Sequence, residues 1–185
     1  MRFALVGPPN CGKSTLFNQV AGYRAETGNF HGTTVSFTES KVRVSGEVIQ
    51  LVDLPGTYTI ESTNPAEAET ERYLTSEQVD VIINVIDATH LAQGLELTLE
   101  LLGMQRPMLV ALNMVDEARR TGLHIDGPGL QQVLGIPVLP LIASKGQGVL
   151  PLFKKALDVS HNTFPSKDNP LVTRDDQHRH SLARQ

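Results

Sequence analysis

The chain has 185 residues, a formal net charge of −4, a single cysteine and 40% hydrophobic residues. That length suits one domain, and a mildly acidic chain without a lysine or arginine cluster argues against a nucleic-acid-binding surface. One cysteine excludes an internal disulfide, and no apolar run approaches the roughly 20 residues that a membrane-spanning helix needs. The six residues before Gly7 are too short for a signal peptide, so we expect one soluble domain.

Apolar runs alternate with amphipathic stretches along most of the chain. Strands are predicted near residues 2–6, 35–44, 47–52, 79–86, 108–113 and 137–141, and helices near 13–21, 65–75, 91–104, 127–134 and 148–160. Ser45-Gly46 is typical of a hairpin turn, so the strands beside it should pair antiparallel. We predict a three-layer α/β fold with a mostly parallel six-stranded sheet, one antiparallel edge strand and helices on both faces. Residues 1–161 form this domain, and the polar residues 162–185 are interpreted as a tail or truncated linker.

The first predicted strand leads into a glycine-rich loop. Residues 7–14, Gly-Pro-Pro-Asn-Cys-Gly-Lys-Ser, match the pattern Gly, four residues, Gly-Lys-Ser, which cradles phosphates between a strand and a helix. Lys13 is predicted to reach the β- and γ-phosphates, and Ser14 to ligate Mg²⁺. Cys11 either has a lowered pKa in this anion-binding loop or is simply a small loop residue. The predicted nucleotide contacts in this loop are Pro9, Asn10, Cys11, Gly12, Lys13, Ser14 and Thr15.

Two further loops are predicted to respond to the γ-phosphate. Residues 28–35 form a glycine-bounded loop with two threonines, and one hydroxyl there should close over Mg²⁺. Spacing leaves Thr33 and Thr34 as alternatives. Asp53 ends an apolar strand and should hold Mg²⁺ through a water, while the N–H of Gly56 should contact the γ-phosphate. Loss of that phosphate would release the loop, as in an order–disorder switch.

Two later strand ends are predicted to bind a guanine base. The carboxylate of Asp116 can accept from two guanine N–H groups, whereas adenine would leave it unpaired. After the last strand, backbone N–H groups could face the guanine oxygen, and the stem of Lys145 could cover the ring. The predicted contacts on this side are Asn113, Met114, Asp116, Ala143, Ser144 and Lys145.

Together these motifs resemble the N-terminal G domain of the ferrous iron transport protein B (FeoB) family, within the translation-factor-related class of GTPases. The resemblance covers roughly residues 2–160 and is carried by residues 9–18, 28–35, 53–58, 83–88 and 111–116. It implies a GTP-hydrolysing switch domain that uses Mg²⁺, with Thr34 as the Mg²⁺-sensing threonine. Ala143 departs from the family pattern, which has Ser or Thr there. The family also continues into a helical domain for which this chain is too short.

The resemblance also bears on mechanism and location. Thr57 stands where Ras-like enzymes place a water-orienting Gln, so we expect slow intrinsic hydrolysis. Asn10 could help to ligate K⁺ with carbonyls from Gly28 and Phe30, or could only tie the loop backbone. The predicted catalytic set is Asn10, Lys13, Thr34 and Gly56. The implied partners are GTP or GDP and a membrane-embedded transporter region, at the cytoplasmic face of the bacterial inner membrane.

Two other functions are compatible with the sequence. One is a stand-alone GTPase in ribosome or tRNA maturation, against which the acidic balance counts. The other is a guanine-nucleotide sensor that does not hydrolyse GTP, which Thr57 keeps open. The six histidines suggest no iron site apart from the His178-Arg179-His180 tail, which is more typical of a solvated segment than of a metal site. The oligomeric state stays open.

Overall fold

The computed structural model describes residues 1–22, 25–30, 35–60, 64–76 and 79–162. The described part contains seven strands, which belong to one sheet. Their bounds are β1 (Arg2–Val6), β2 (Glu26–Asn29), β3 (Ser36–Val44), β4 (Glu47–Asp53), β5 (Val81–Asp87), β6 (Met108–Asn113) and β7 (Val138–Pro140). The strand order across the sheet is β2-β3-β4-β1-β5-β6-β7.

Six α-helices and two short 3₁₀ turns connect these strands in the described residues. The helices are α1 (Lys13–Ala21), α2 (Pro65–Ser76), α3 (Leu91–Gly103), α4 (Val115–Arg120), α5 (Gly127–Leu134) and α6 (Val149–His161). The 3₁₀ turns are Ala88–His90 and Ala143–Lys145. The described residues contain no helix that is long and apolar enough to cross a membrane.

The fold class is confirmed, but the sheet has seven strands where six were predicted. Strand β2 was missed because its sequence Glu-Thr-Gly-Asn is polar and mostly exposed, without the apolar alternation that signals a strand. It pairs antiparallel with β3, which pairs antiparallel with β4. Helix α4 was missed for a similar reason, since Ala118 is the buried residue of this short polar helix.

Alternation along the strands divides the core into two clusters, one on each face of the sheet. In β1, Phe3 and Leu5 belong to the cluster that contains residues of α1 and α6, whereas Ala4 and Val6 belong to the other. That second cluster contains residues from α2 to α5. The strands near the centre are buried on both faces, which is typical of a parallel sheet covered by helices.

The parallel strands set the position of every loop that matters for function. Strand β1 pairs parallel with both β4 and β5, and β5 with β6. Their carboxyl ends therefore meet along one edge of the sheet, where α/β folds bind ligands. The glycine-rich loop follows the central strand β1 and is flanked by the ends of β4 and β5.

Candidate nucleotide-binding site

The glycine-rich loop enters α1 with its helix start open. Gly12 has φ 91° and precedes the helix, and no side chain caps the first N–H groups. Uncapped N–H groups at a helix N-terminus form an anion-binding site. Asn10 has φ 63°, a left-handed conformation that asparagine tolerates better than most residues. The left-handed backbone conformation by itself gives a reason for asparagine here, and the side chain is exposed.

Three polar side chains from β4 and α1 meet beside this loop. The Ser14 hydroxyl donates to Oδ2 of Asp53 at 2.7 Å, and Nζ of Lys13 lies 3.7 Å from Oδ1. That second distance makes an ion pair without a hydrogen bond. Burial raises the pKa of Asp53, while the charge of Lys13 and the hydrogen bond from Ser14 oppose that shift.

The same cluster fits a magnesium ion. Oδ1 of Asp53 is buried and has no hydrogen-bond partner among the described residues. A carboxylate oxygen and a neighbouring hydroxyl are hard oxygen ligands of the kind that Mg²⁺ prefers. Asp53 and Ser14 are thus the described residues that would hold Mg²⁺ near the phosphates.

Asn113 joins the two halves of the site. Its Nδ2 donates to the Cys11 carbonyl at 2.9 Å, and its Oδ1 accepts from the N–H of Ala143 at 2.9 Å. The side chain therefore ties the glycine-rich loop to the turn after β7, although 102 residues separate it from Cys11. Gly12 passes so close that an added Cβ would lie 2.2 Å from Nδ2 of Asn113. The sequence predicted Asn113 as a contact but did not reveal this bridging role.

Asp116 and Lys145 form an ion pair where the guanine base was predicted to lie. Nζ of Lys145 lies 2.7 Å from Oδ2 of Asp116. That hydrogen bond is the main reason that the pKa of Asp116 is lowered, so the carboxylate stays ionised. Met114 adopts φ 61° at the start of α4, and Ser144 is exposed beside Lys145. Backbone N–H groups after the last strand were predicted to face the guanine oxygen, and one of them, the N–H of Ala143, donates to Asn113 in this structure.

Gly56 lies directly against the glycine-rich loop. A Cβ on Gly56 would come within 2.9 Å of the Pro9 Cα, so the close approach requires glycine. The next residue, Thr57, donates its N–H to the Gly7 carbonyl at 3.1 Å and is 1% exposed. The Thr57 hydroxyl donates to the Thr59 carbonyl. Thr57 therefore faces inward, which agrees with the expectation that it does not orient a water as Gln would.

Cys11 is a buried structural residue. It is 1% exposed, and an added Cβ on Gly7 would lie 2.9 Å from its Sγ. Burial raises the pKa of the thiol to about 11, although the nearby Lys13 opposes the shift. The alternative of a lowered pKa is wrong, because the loss of hydration outweighs the attraction of the lysine.

The loop predicted to carry Mg²⁺-sensing and K⁺-binding groups is only partly described. Gly28 lies in β2, and Phe30 packs on the rings of Phe37 and Tyr73 with centroid distances of 4.9 and 5.8 Å. Thr34 lies outside the described residues, as do Thr33 and the His178–His180 tail. Among the residues described, no group of three or more His, Cys, Asp and Glu side chains could hold a metal ion.

The fold and this site define a P-loop nucleotide-binding domain of the G-domain type. A family model described as ferrous iron transport protein B matches residues 1–156, and the chain belongs to that family. The chain is 41% identical over 166 residues to the Fe(2+) transporter FeoB of Salmonella typhimurium, covering 88% of this chain and 21% of the relative. It is 39% identical over 160 residues to a Porphyromonas gingivalis protein described as an Fe(2+) transport protein A/Fe(2+) transporter FeoB fusion, covering 86% and 19%. The chain thus spans about a fifth of the length of these curated relatives.

Solved structures give the same result. The apo cytosolic domain of the T. maritima FeoB iron transporter superposes with a TM-score of 0.85 at 36% identity, covering 90% of this chain and 66% of that one. Structures of the same domain in GDP and GMPPNP forms each give 0.84. The FeoB G-domain from Methanococcus jannaschii gives 0.77 at 35% identity, covering 87% and 97%.

Proposed function

We propose that this chain binds GTP and GDP with Mg²⁺ and hydrolyses GTP, as the cytosolic regulatory domain of a ferrous iron transporter. The observation that carries the proposal is the Asn113 side chain, which fixes the phosphate-binding loop and the turn after β7 in one arrangement. Phosphates and base of one nucleotide would thereby meet a single preorganised surface. Relatives described in GDP and GMPPNP forms support it.

The phosphate side of the proposed site relies on charge. Lys13, only 7% exposed, would hold the β- and γ-phosphates together with the uncapped N–H groups at the start of α1. Ser14, Asp53 and Thr34 would hold Mg²⁺. When bound, the ion neutralises charge on the phosphate oxygens. Gly56, packed on Pro9, would contact the γ-phosphate through its N–H.

The guanine side would read the base through Asp116. Its lowered pKa keeps the carboxylate ionised, so it can accept from two guanine N–H groups. Binding guanine requires Asp116 to share or release its bond to Lys145, whose stem is then free to lie over the ring. Met114 and Ser144 would contact the base from the flanking turns.

Hydrolysis should be slow in the isolated domain. Thr57 is buried and bonded to the backbone, so it offers no group to orient the attacking water. We propose that Asn10, with carbonyls of Gly28 and Phe30, binds K⁺ beside the phosphates and supplies charge in place of an arginine. A sensor that does not hydrolyse GTP is the second candidate, and the same buried Thr57 favours it.

The curated relatives are longer proteins, of which this chain spans about a fifth. We propose that its partner is a membrane-embedded transport region and that it lies at the cytoplasmic face of the inner membrane. The relatives described as cytosolic domains of FeoB support that location. Membership of the FeoB family also disfavours a stand-alone GTPase of ribosome or tRNA maturation.

The deciding experiment measures GTP hydrolysis by the purified chain in KCl and then in NaCl at equal ionic strength, with ATP as the control nucleotide. Turnover specific to GTP and faster in K⁺ supports the full proposal. Equal turnover in both salts removes the K⁺ site and retains the GTPase. Tight GTP binding with no turnover in either salt favours the sensor. Equal hydrolysis of ATP and GTP overturns guanine recognition.

A matched pair of variants tests the K⁺ site directly. Asn10→Ala should abolish the difference between KCl and NaCl, whereas GDP affinity should fall by less than about tenfold, the strain of an alanine at φ 63° included. Asn18→Ala, at an exposed position of α1, is the control. A K⁺ response that survives Asn10→Ala would contradict the role of Asn10.

A further inference from the structure

Glu100 on α3, which is not among the predicted site residues, binds the segment that follows Gly56. Its carboxylate accepts from the Thr59 hydroxyl at 2.9 Å through both oxygens, and Oε2 also accepts from the Ile60 N–H at 2.5 Å. These residues are about 40 positions apart in the chain. Hydrogen bonds to a charged acceptor are shorter and stronger than those between neutral groups.

The bound segment is the one that begins with Gly56. At its start, Thr57 is fastened to Gly7 through a backbone hydrogen bond, and the Thr57 hydroxyl is bonded to the Thr59 carbonyl. At its end, Thr59 and Ile60 are bound to Glu100, and Ile60 is 8% exposed within the core cluster that contains residues from α2 to α5. Residues 56–60 therefore cross from the phosphate-binding loop to α3 with both ends attached.

Among the hydrogen bonds named above, those to α3 are supplied by a side chain from outside the segment. The link to Gly7 is a hydrogen bond between backbone groups, so it does not use the Thr57 side chain. The link to α3 is supplied by the Glu100 carboxylate, which lies half-buried. A carboxylate that accepts both a hydroxyl and a backbone N–H fixes the position and direction of the segment more tightly than packing of Ile60 alone.

We infer that Glu100 is a positioning residue for the γ-phosphate: by binding Thr59 and Ile60 it holds Gly56 against the phosphate-binding loop. The inference rests on the proposed GTPase function. Glu100 touches neither nucleotide nor Mg²⁺ in this role, so its loss should spare contacts common to GDP and GTP. It should weaken those made only when the γ-phosphate is present.

The test uses Glu100→Ala, with Glu96→Ala one turn earlier on the same helix as the exposed control. Fluorescent GDP and GMPPNP are titrated, and single-turnover GTP hydrolysis is measured in parallel. For Glu100→Ala we expect GMPPNP affinity and the hydrolysis rate to fall about tenfold, the loss typical of a charged hydrogen bond. GDP affinity should stay within about twofold, and Glu96→Ala should behave as wild type.

A second variant distinguishes the loss of this contact from a general disturbance of the fold. Thr59→Val removes one donor and leaves the Glu100 carboxylate in place, so it should shift the GMPPNP to GDP affinity ratio in the same direction by a smaller factor. The affinity ratio of the double variant should change no more than that of Glu100→Ala, because both substitutions remove the same interaction. Amide exchange at Ile60 should quicken in Glu100→Ala.

The positioning role of Glu100 and the GTPase function would be overturned by different results. Equal losses of GDP and GMPPNP affinity, or an unchanged ratio in Glu100→Ala, overturn the positioning role while the GTPase proposal stands. A wild-type chain that binds no guanine nucleotide overturns both.

Discussion

The guanine side and the γ-phosphate side of the site are held in place by different means. On the guanine side, Asn113 is 2% exposed and bonds two backbone groups inside the core. On the γ-phosphate side, Gly56 is held through Thr57 and through the half-buried Glu100. The hydrogen bonds of Asn113 lie inside the core, whereas those of Glu100 lie nearer to solvent, where water can compete for them more easily. We therefore expect the guanine side to keep its arrangement in every nucleotide state, as a fixed half, and the γ-phosphate side to respond to the third phosphate, as a movable half.

Lys13→Ala should have the largest effect, because we expect Lys13 to contact the β-phosphate, which GDP and GTP share. Removing a buried cation from an ionic contact typically costs 2–5 kcal/mol, so we expect about a thousandfold loss of GDP and GTP affinity. Fluorescent nucleotide titration measures it, with Lys41→Ala on the exposed side of β3 as the control. Retained micromolar affinity would contradict the phosphate-binding assignment.

Asp116→Asn tests the fixed half alone. An amide offers one oxygen and a donor group in place of two acceptor oxygens, so one guanine N–H loses its partner. We expect the GTP-to-ATP affinity ratio to fall by about a hundredfold. Competition titrations with both nucleotides measure the ratio, and Glu117→Gln is the neighbouring control. An unchanged ratio would assign guanine recognition elsewhere.

Cys11 reports whether solvent reaches the phosphate-binding loop at the point where Asn113 binds it. With a thiol pKa of about 11 against an ordinary value of 9.0, the thiolate fraction at pH 8 is about a hundredfold lower in the folded chain. Alkylation at pH 8 should therefore be at least about a hundredfold slower than in urea-unfolded protein, and should accelerate as the pH rises toward 11. Equal rates in both states would mean that the loop is open to solvent.

Asn113→Ala should have the smallest effect of these four predictions, and the effect should be a loss of stability. It leaves the Cys11 carbonyl and the Ala143 N–H buried without their partner, which should lower the free energy of unfolding by about 2 kcal/mol. Urea denaturation measures the change, with the exposed Asn18→Ala as reference. A shift no larger than that of Asn18→Ala would show that the two loops hold their positions unaided.

Local sequence pattern predicted the part of the fold that is buried and regular. Strands such as β5 and β6 read as continuous apolar runs because helices cover both of their faces. The phosphate-binding loop was predictable because its backbone geometry requires glycine and lysine at fixed spacing. The polar elements β2 and α4 were not, since tertiary pairing rather than apolar periodicity stabilises them.

The connections between motifs could not be read from the sequence. Asn113 and Cys11 meet across 102 residues, and Ile60 and Glu100 across 40. Such pairs depend on strand order and on the direction of each helix, and neither is encoded locally. The pKa of Cys11 was open for the same reason, because burial is a property of the assembled core.

The contact between Gly12 and Asn113 has a consequence for how this chain can evolve or be engineered. An alanine at position 12 would place its methyl 2.2 Å from the amide that secures the guanine side, besides being strained at φ 91°. A change made to alter phosphate binding would thus displace the base-recognition turn as well. Homologues should vary these two positions jointly or not at all, and a designer seeking a new nucleotide specificity would have to rebuild both loops in one step.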